Sequence, residues 1–353
     1  MAYWAGGRPG CDKHMGEAMR LNGDSVLTAL AGIIMLAATA AMPSSTAAGA
    51  AEIEEWTVPW ANTRPRDPFT VDGRVVWFAG QAGDYIGRLD AATGDFSRLE
   101  LGPGSGPHNL IVGADGSVWI AGNRQGFIGR YREGGTVRRI AMPEAAARDP
   151  HTLVFDGAGH IWFTLQGSNM LGWLRMTDEK VALVKVPVPR ARPYGIVIDD
   201  AHRPWVALFG SNRIATVDPE TMKYRDFELP RADSRPRRLV WRGDGFLWYG
   251  DYRGGRLGRL DPRDGSVTEW ALPAGATARP YAMAADNRGR IWLVETGLHP
   301  NRFVAFDVAA EKFTTKLEVP SGGGTVRNMM FHAPTRSIWF GTDSNTIGRL
   351  SVE

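Results

Sequence analysis

Two histidines stand 43 residues apart in one local frame, Pro107-His108-Asn109-Leu110 and Pro150-His151-Thr152-Leu153, and Asp149 precedes the second by two positions. An imidazole titrates close to neutrality, so beside a carboxylate it can abstract a proton or ligate a metal, depending on its tautomer. The same pair can equally hydrogen-bond loop carbonyls, because spacing does not fix a protonation state. The frame recurs along the chain. Eleven residues before Trp77, Trp119, Trp162, Trp205, Trp248 and Trp292, and twelve before Trp339, stand Arg66, His108, His151, Tyr194, Arg237, Tyr281 and Arg327. Seven large polar side chains at one repeated position point to a ligand-binding mouth rather than a packed core. Three residues after each tryptophan stand Gly80, Gly122, Leu165, Leu208, Asp251, Glu295 and Thr342. Carboxylates thus enter only in the fifth and sixth repeats, beside Arg237 and Tyr281. Such a group can bind a metal or a polar ligand, or be a satisfied ion pair.

The elements that position these residues follow from the tryptophan spacings of 42, 43, 43, 43, 44 and 47 residues. A period in the low forties, built from short β-branched and aromatic runs between Gly/Asp turns, specifies an all-β, seven-bladed β-propeller with one four-stranded sheet per repeat. Within a repeat the Pro-x-x-Leu/Ile/Val run is the innermost strand and the tryptophan run the second. Ile-Gly-Arg-Leu is the third, and Phe/Trp-x-Leu-Pro the fourth. The repeats open on a lone fourth-strand pattern, Glu55-Trp56-Thr57-Val58-Pro59, and stop at a third, Ile347-Gly348-Arg349-Leu350. The N-terminal strand is therefore expected to complete the last blade and close the ring, which removes exposed sheet edges. One tryptophan per blade at a fixed strand position reads as inter-sheet packing. The repeated Gly-Arg pairs of the third strands receive no function.

Before the repeats the chain changes character. Val26 to Ala41 is apolar, follows Arg20, and leads into small residues ending Ala48-Gly49-Ala50-Ala51. Residues 1 to 50 read as a leader and secretory signal peptide, with Met15 or Met19 as the expected start because residues 1 to 14 resemble no signal n-region, and 51 to 353 as the propeller. The apolar run is short for a spanning helix. A periplasmic or secreted monomer, with no membrane contact after cleavage, is expected. Cys11 is the only cysteine and would leave with the leader, excluding disulfides and thiolate chemistry from the mature chain. The formal net charge is +3, and the charges are interspersed. That balance offers nothing to nucleic acid or an anionic membrane and leaves a small molecule at the channel mouth as the partner.

The repeated run Pro-His/Tyr-x-Ile/Leu, Asp-Gly-x-x-Trp-Phe, Asn-x-Ile-Gly-Arg-Leu and x-Phe-x-Leu-Pro resembles the streptogramin B lyase (virginiamycin B lyase) family over residues 52 to 353. The resemblance implies a seven-bladed propeller and a magnesium-dependent elimination that opens a cyclic depsipeptide. It also implies a His on one blade, an acidic-x-His element at the next, and a Glu ending that blade's second strand. In the family's usual sixth and seventh blades those positions hold Tyr281, Thr325, Arg327 and Thr342. Rotated to the second and third blades they hold His108, Asp149, His151 and Leu165, so the carried-over set is one carboxylate short. There Asp149 would hold Mg2+, His151 would take the proton, and His108 would assist the leaving oxygen. Two alternatives stand beside this lyase reading. One is a non-catalytic ligand-binding or scaffold propeller whose ligand meets Arg66, Tyr194, Arg237, Tyr281 and Arg327. The other is a metal-dependent lactonase with calcium at Asp251 and Glu295.

Overall fold

The structure is a computed structural model that describes residues 51–352. The expected leader, Cys11 and the alternative starts lie outside the described residues. The repeats fold as 28 strands, β1 to β28 in chain order, with one short 3-10 turn at Gly275–Thr277. They form seven four-stranded antiparallel sheets. The innermost strands are β2 (Pro65–Phe69), β6 (Pro107–Val112), β10 (Pro150–Phe155), β14 (Pro193–Ile198), β18 (Pro236–Trp241), β22 (Pro280–Ala285) and β26 (Val326–His332). Six blades are consecutive in sequence. The seventh runs β26, β27 (Ser337–Thr342), β28 (Thr346–Ser351) and then β1 (Glu52–Thr57). β1 pairs with β28 from Glu52↔Ser351 to Thr57↔Thr346, so the closure expected from the sequence is the observed one. The Asn345 amide reinforces it by donating to the Val58 and Trp60 carbonyls, each at 2.9 Å.

The core lies between blades. Trp119, Trp162, Trp205, Trp248, Trp292 and Trp339 are fully buried, whereas Trp77 is half-buried with its ring edge-on to Tyr131. Aspartates of the turn between the first and second strands hold several of the indoles, as where Trp205 and Trp292 donate to Asp199 and Asp286 at 2.9 Å. The third-strand Gly-Arg pairs have a packing role. A Cβ on Gly87 or Gly348 would sit 2.1 Å from the ring of Phe78 or Phe340, so glycine lets that ring lie flat on the backbone. The following arginine covers the neighbouring indole, with Arg130 5.0 Å from the Trp119 ring centroid and Arg349 5.6 Å from that of Trp339. Among the described residues no helix is long and apolar enough to cross a membrane.

Candidate functional site

All seven innermost strands start at one face, called upper here, and run down the channel wall. In each, the pairing with the second strand slips early, for example between Pro107 and Leu110, Pro150 and Leu153, and Pro236 and Leu239. A bulge re-aims side chains, and two successive residues per blade then reach inward. The upper tier is the ring found in the sequence, from Arg66 to Arg327. The lower tier, which the sequence reading missed, contributes Asp67, Asn109, Thr152, Arg238 and Asn328. Its signal was available, since these are the next residues in the same frame and five of the seven are polar.

The upper tier meets in the middle of the channel and fills it. The His108 and His151 rings stack with centroids 3.5 Å apart, and Tyr194 lies 4.2 Å from His151. Across the axis the Tyr194 and Tyr281 hydroxyls share a hydrogen bond. The Arg237 guanidinium lies 3.4 Å from the Tyr281 ring centroid and within 5.0 Å of those of Tyr194, Phe209 and Tyr252. None of Arg66, His108, His151, Tyr194 and Tyr281 is more than 5% exposed. The expected open mouth is therefore a plug, because seven large side chains converging on one axis leave no gap between them.

Electrostatics inside the plug follow from burial and arginine. His108 Nδ1 lies 3.0 Å from the His151 carbonyl, which can only accept, so that nitrogen carries the proton. Burial first, and Arg66 next, hold both imidazoles well below their ordinary pKa, and both rings are neutral at pH 7. Burial pushes the Tyr281 phenol up, but Arg237, Arg66 and Arg238 outweigh it and hold the group at about 8. Tyr194 is pushed up by burial and by Tyr281, which leaves Tyr281 the more acidic of the two. Arg66 spends Nε on Asp67 at 3.2 Å and Nη1 on Gln81 at 3.0 Å. Arg327 is committed to Asp343 by a two-pronged pair, with Nε at 3.1 Å.

Asp251 and Glu295 stand opposite Pro236 and Pro280, at the register read from the sequence, but their hydrogen bonds run to the loops. Asp251 and Glu295 are fully buried, yet neither is hydrogen-bonded to Arg237 or Tyr281. Asp251 accepts from Arg231 at 2.7 Å and from the backbone N–H groups of Arg235, Arg253 and Gly254, so it ties together the corner loops. Glu295 accepts from Arg302 at 2.7 Å and from the Ala274 N–H at 2.8 Å. A buried charge demands the nearest donors, and here those belong to neighbouring loops. Asp149 likewise accepts from the Gly167 and Ser168 N–H groups and from the Ser168 hydroxyl at 2.8 Å, and burial raises its pKa. It contacts neither imidazole.

Magnesium prefers several hard oxygens. The Asp149 oxygens are occupied, Leu165 is apolar and buried, and Arg66, Arg237 and Arg238 share the channel. Among the described residues no three His, Cys, Asp or Glu side chains lie close enough together to hold a metal ion. As placed, the donor set does not fit magnesium, and Asp251 and Glu295 do not offer calcium free oxygens.

Above the plug, blades four to six enclose a cup of about 720 Å³ lined by Arg190, Arg192, Phe209, Arg235, Tyr252, Arg253 and Arg279. Of these arginines only Arg253 has a carboxylate within 4.0 Å of its guanidinium among the described residues, Asp233 at 3.7 Å. The sequence carried this signal too. Arginine precedes the proline of the innermost strand at Arg64-Pro65, Arg192-Pro193, Arg235-Pro236 and Arg279-Pro280. Arg190, Arg192 and Arg279 hold left-handed backbone at φ of 54°, 53° and 45°.

The virginiamycin B lyase family model matches residues 38–209 and again 180–353. A streptogramin B lyase structure superposes with a TM-score of 0.77 at 22% identity, covering 86% of this chain and 98% of that one. A catalytically inactive virginiamycin B lyase from Staphylococcus aureus with quinupristin gives 0.78 at 22% identity, over 86% and 100%. The Kuenenia stuttgartiensis hydrazine synthase gives 0.70 at 12%, over 84% and 97%, so likeness at this level is one of fold. No curated protein matches the chain significantly.

Proposed function

The chain belongs to the virginiamycin B lyase family, and from that premise we propose an exported propeller that binds a small, multiply charged anion in its upper cup without carrying out magnesium-dependent elimination. The observation that carries this reading is Arg237. Its guanidinium is packed among four aromatic rings, its Nε has no hydrogen-bond partner, and it lies beside Phe209 and Tyr252 of a cup ringed by five further arginines. Converging guanidinium groups match carboxylate and phosphate oxygens in charge and geometry. The aromatic walls lower the local dielectric, which strengthens each charge-assisted bond. Against elimination speak the neutral imidazoles buried in the plug, the occupied Asp149 carboxylate, and Leu165 where an anionic ligand would be needed. Residues 1 to 50 supply the export part of the proposal, as a leader to the periplasm or the exterior.

Calorimetric titration of the mature protein with citrate and with pyrophosphate at low salt tests the binding. We expect saturable binding that weakens as salt screens the cup. Arg235→Ala and Arg253→Ala should each remove about 1.5–3 kcal/mol. Incubation with quinupristin and Mg2+, followed by mass spectrometry, should give no ring-opened product. Ring opening that depends on Mg2+, or failure of both anions to bind, would overturn the proposal.

A further inference from the structure

Below the plug the channel opens into a second chamber of about 390 Å³, reached from the lower face and separate from the upper cup. Its walls are the lower halves of the innermost strands, where polar and apolar surface alternate, and the partly exposed Phe69, Val197, Trp241, Met330 and Phe331 stand toward the lower end, each also packed against an inter-blade cluster. Its ceiling is polar, and the residue that stands out there is Arg238. This side chain crosses the channel from the fifth blade past Gly195, where a Cβ would lie 2.6 Å from the Arg237 carbonyl oxygen, 2.9 Å from the Arg238 Cα and 3.3 Å from its Cδ.

Arg238 is 4% exposed, yet its partners are few and distant. Nη1 donates to Thr152 Oγ1 at 3.3 Å and Nε to the Arg327 carbonyl at 3.4 Å. Nη2 has no hydrogen-bond partner, and the nearest carboxylate, Asp67, is 3.8 Å away. The two oxygens of Asp67 are already engaged, by Arg66 Nε at 3.2 Å and by Asn109 Nδ2 at 2.9 Å. Two buried guanidinium groups therefore share one carboxylate. A buried cation with an unused donor is costly to leave unsatisfied, and an anion reaching the ceiling would supply the missing partner.

We propose that the lower chamber binds a small amphipathic monoanion, its carboxylate hydrogen-bonded to Arg238 and its hydrocarbon body against the partly exposed apolar side chains toward the lower end. The volume falls at the small end of the range for small-molecule sites. A hydrophilic polyanion would need several cationic donors, whereas a single unused guanidinium edge suits one carboxylate. This site is independent of the upper cup, since the plug lies between them and no residue lines both.

Octanoate serves as the probe, with octanol lacking the charge and inorganic phosphate lacking the chain, each titrated calorimetrically into the mature protein. Octanoate should bind at least tenfold more tightly than either control. Arg238→Met should abolish that preference over octanol. Asn328→Trp, at a half-buried lower-tier position outside the inter-blade clusters, should block the chamber and remove octanoate binding with unchanged thermal melting, which decides the matter if Arg238→Met does not fold. Saturating pyrophosphate should leave octanoate affinity unchanged, which separates this site from the upper one. Equal binding of octanol and octanoate, absence of octanoate binding, or full binding in Asn328→Trp would each overturn the proposal.

Discussion

His108 and His151 share one environment, and its cost is measurable. Unfolded, each imidazole takes up a proton near pH 6.5. Folded, burial foremost, then Arg66 together with Arg238, keeps both rings neutral to well below that value. Between the two values the unfolded chain binds more protons, so stability is full above about pH 6.5 and falls as the pH drops, by up to about 1.4 kcal/mol per pH unit for each ring. Urea unfolding at steps from pH 7.5 to 5 should show this loss, and the double variant His108→Asn/His151→Asn should show a clearly shallower one. Identical slopes would mean that the rings accept protons inside the plug, contrary to the stacked, neutral arrangement.

At the scale of the element, the corner ahead of each innermost strand decides what faces the cup. Arg192 and Arg279 occupy the same register as Gly106, and all three have positive φ, at 53°, 45° and 48°. A residue with a Cβ is strained there by about 1–2 kcal/mol, whereas glycine is not. Arg192→Gly and Arg279→Gly are therefore expected to melt no lower than wild type, and up to a few degrees higher, while losing most of their affinity for pyrophosphate. Scanning calorimetry with the anion titration checks both halves at once. Unchanged affinity would remove these arginines from the site; a lower melting point would mean that their side chains hold the corner together.

The whole molecule depends on its ring being closed. Trp56 of β1 stacks on Trp339 with centroids 5.6 Å apart, and Glu55 bonds the Ser321 hydroxyl and backbone at 2.7 Å, so the first strand knits the last blade from both sides. Removing residues 51 to 58 would expose the β28 edge and the indole beneath it, a template for pairing between molecules. The truncated protein should melt well below the full mature chain and aggregate on light scattering. An unchanged melting temperature with no aggregation would show that six and three-quarter blades suffice.

The sequence by itself determined the fold, down to which strand closes it, because seven tryptophans at a near-constant interval admit one repeating unit and its offset ends admit one closure. It also determined the ring from Arg66 to Arg327, since a repeated fold puts equal register at equal height in the channel. Only the tertiary structure decided what that ring does. Side chains from seven blades meet at an axis no local pattern describes, so the plug, the stacked imidazoles and the division of the channel into two chambers were not legible. For the same reason Asp251, Glu295 and Asp149, near the mouth by register, were drawn off to loop N–H groups and to Arg231 and Arg302. A buried carboxylate turns to the closest donors in space, and which donors those are is fixed only when the blades are assembled.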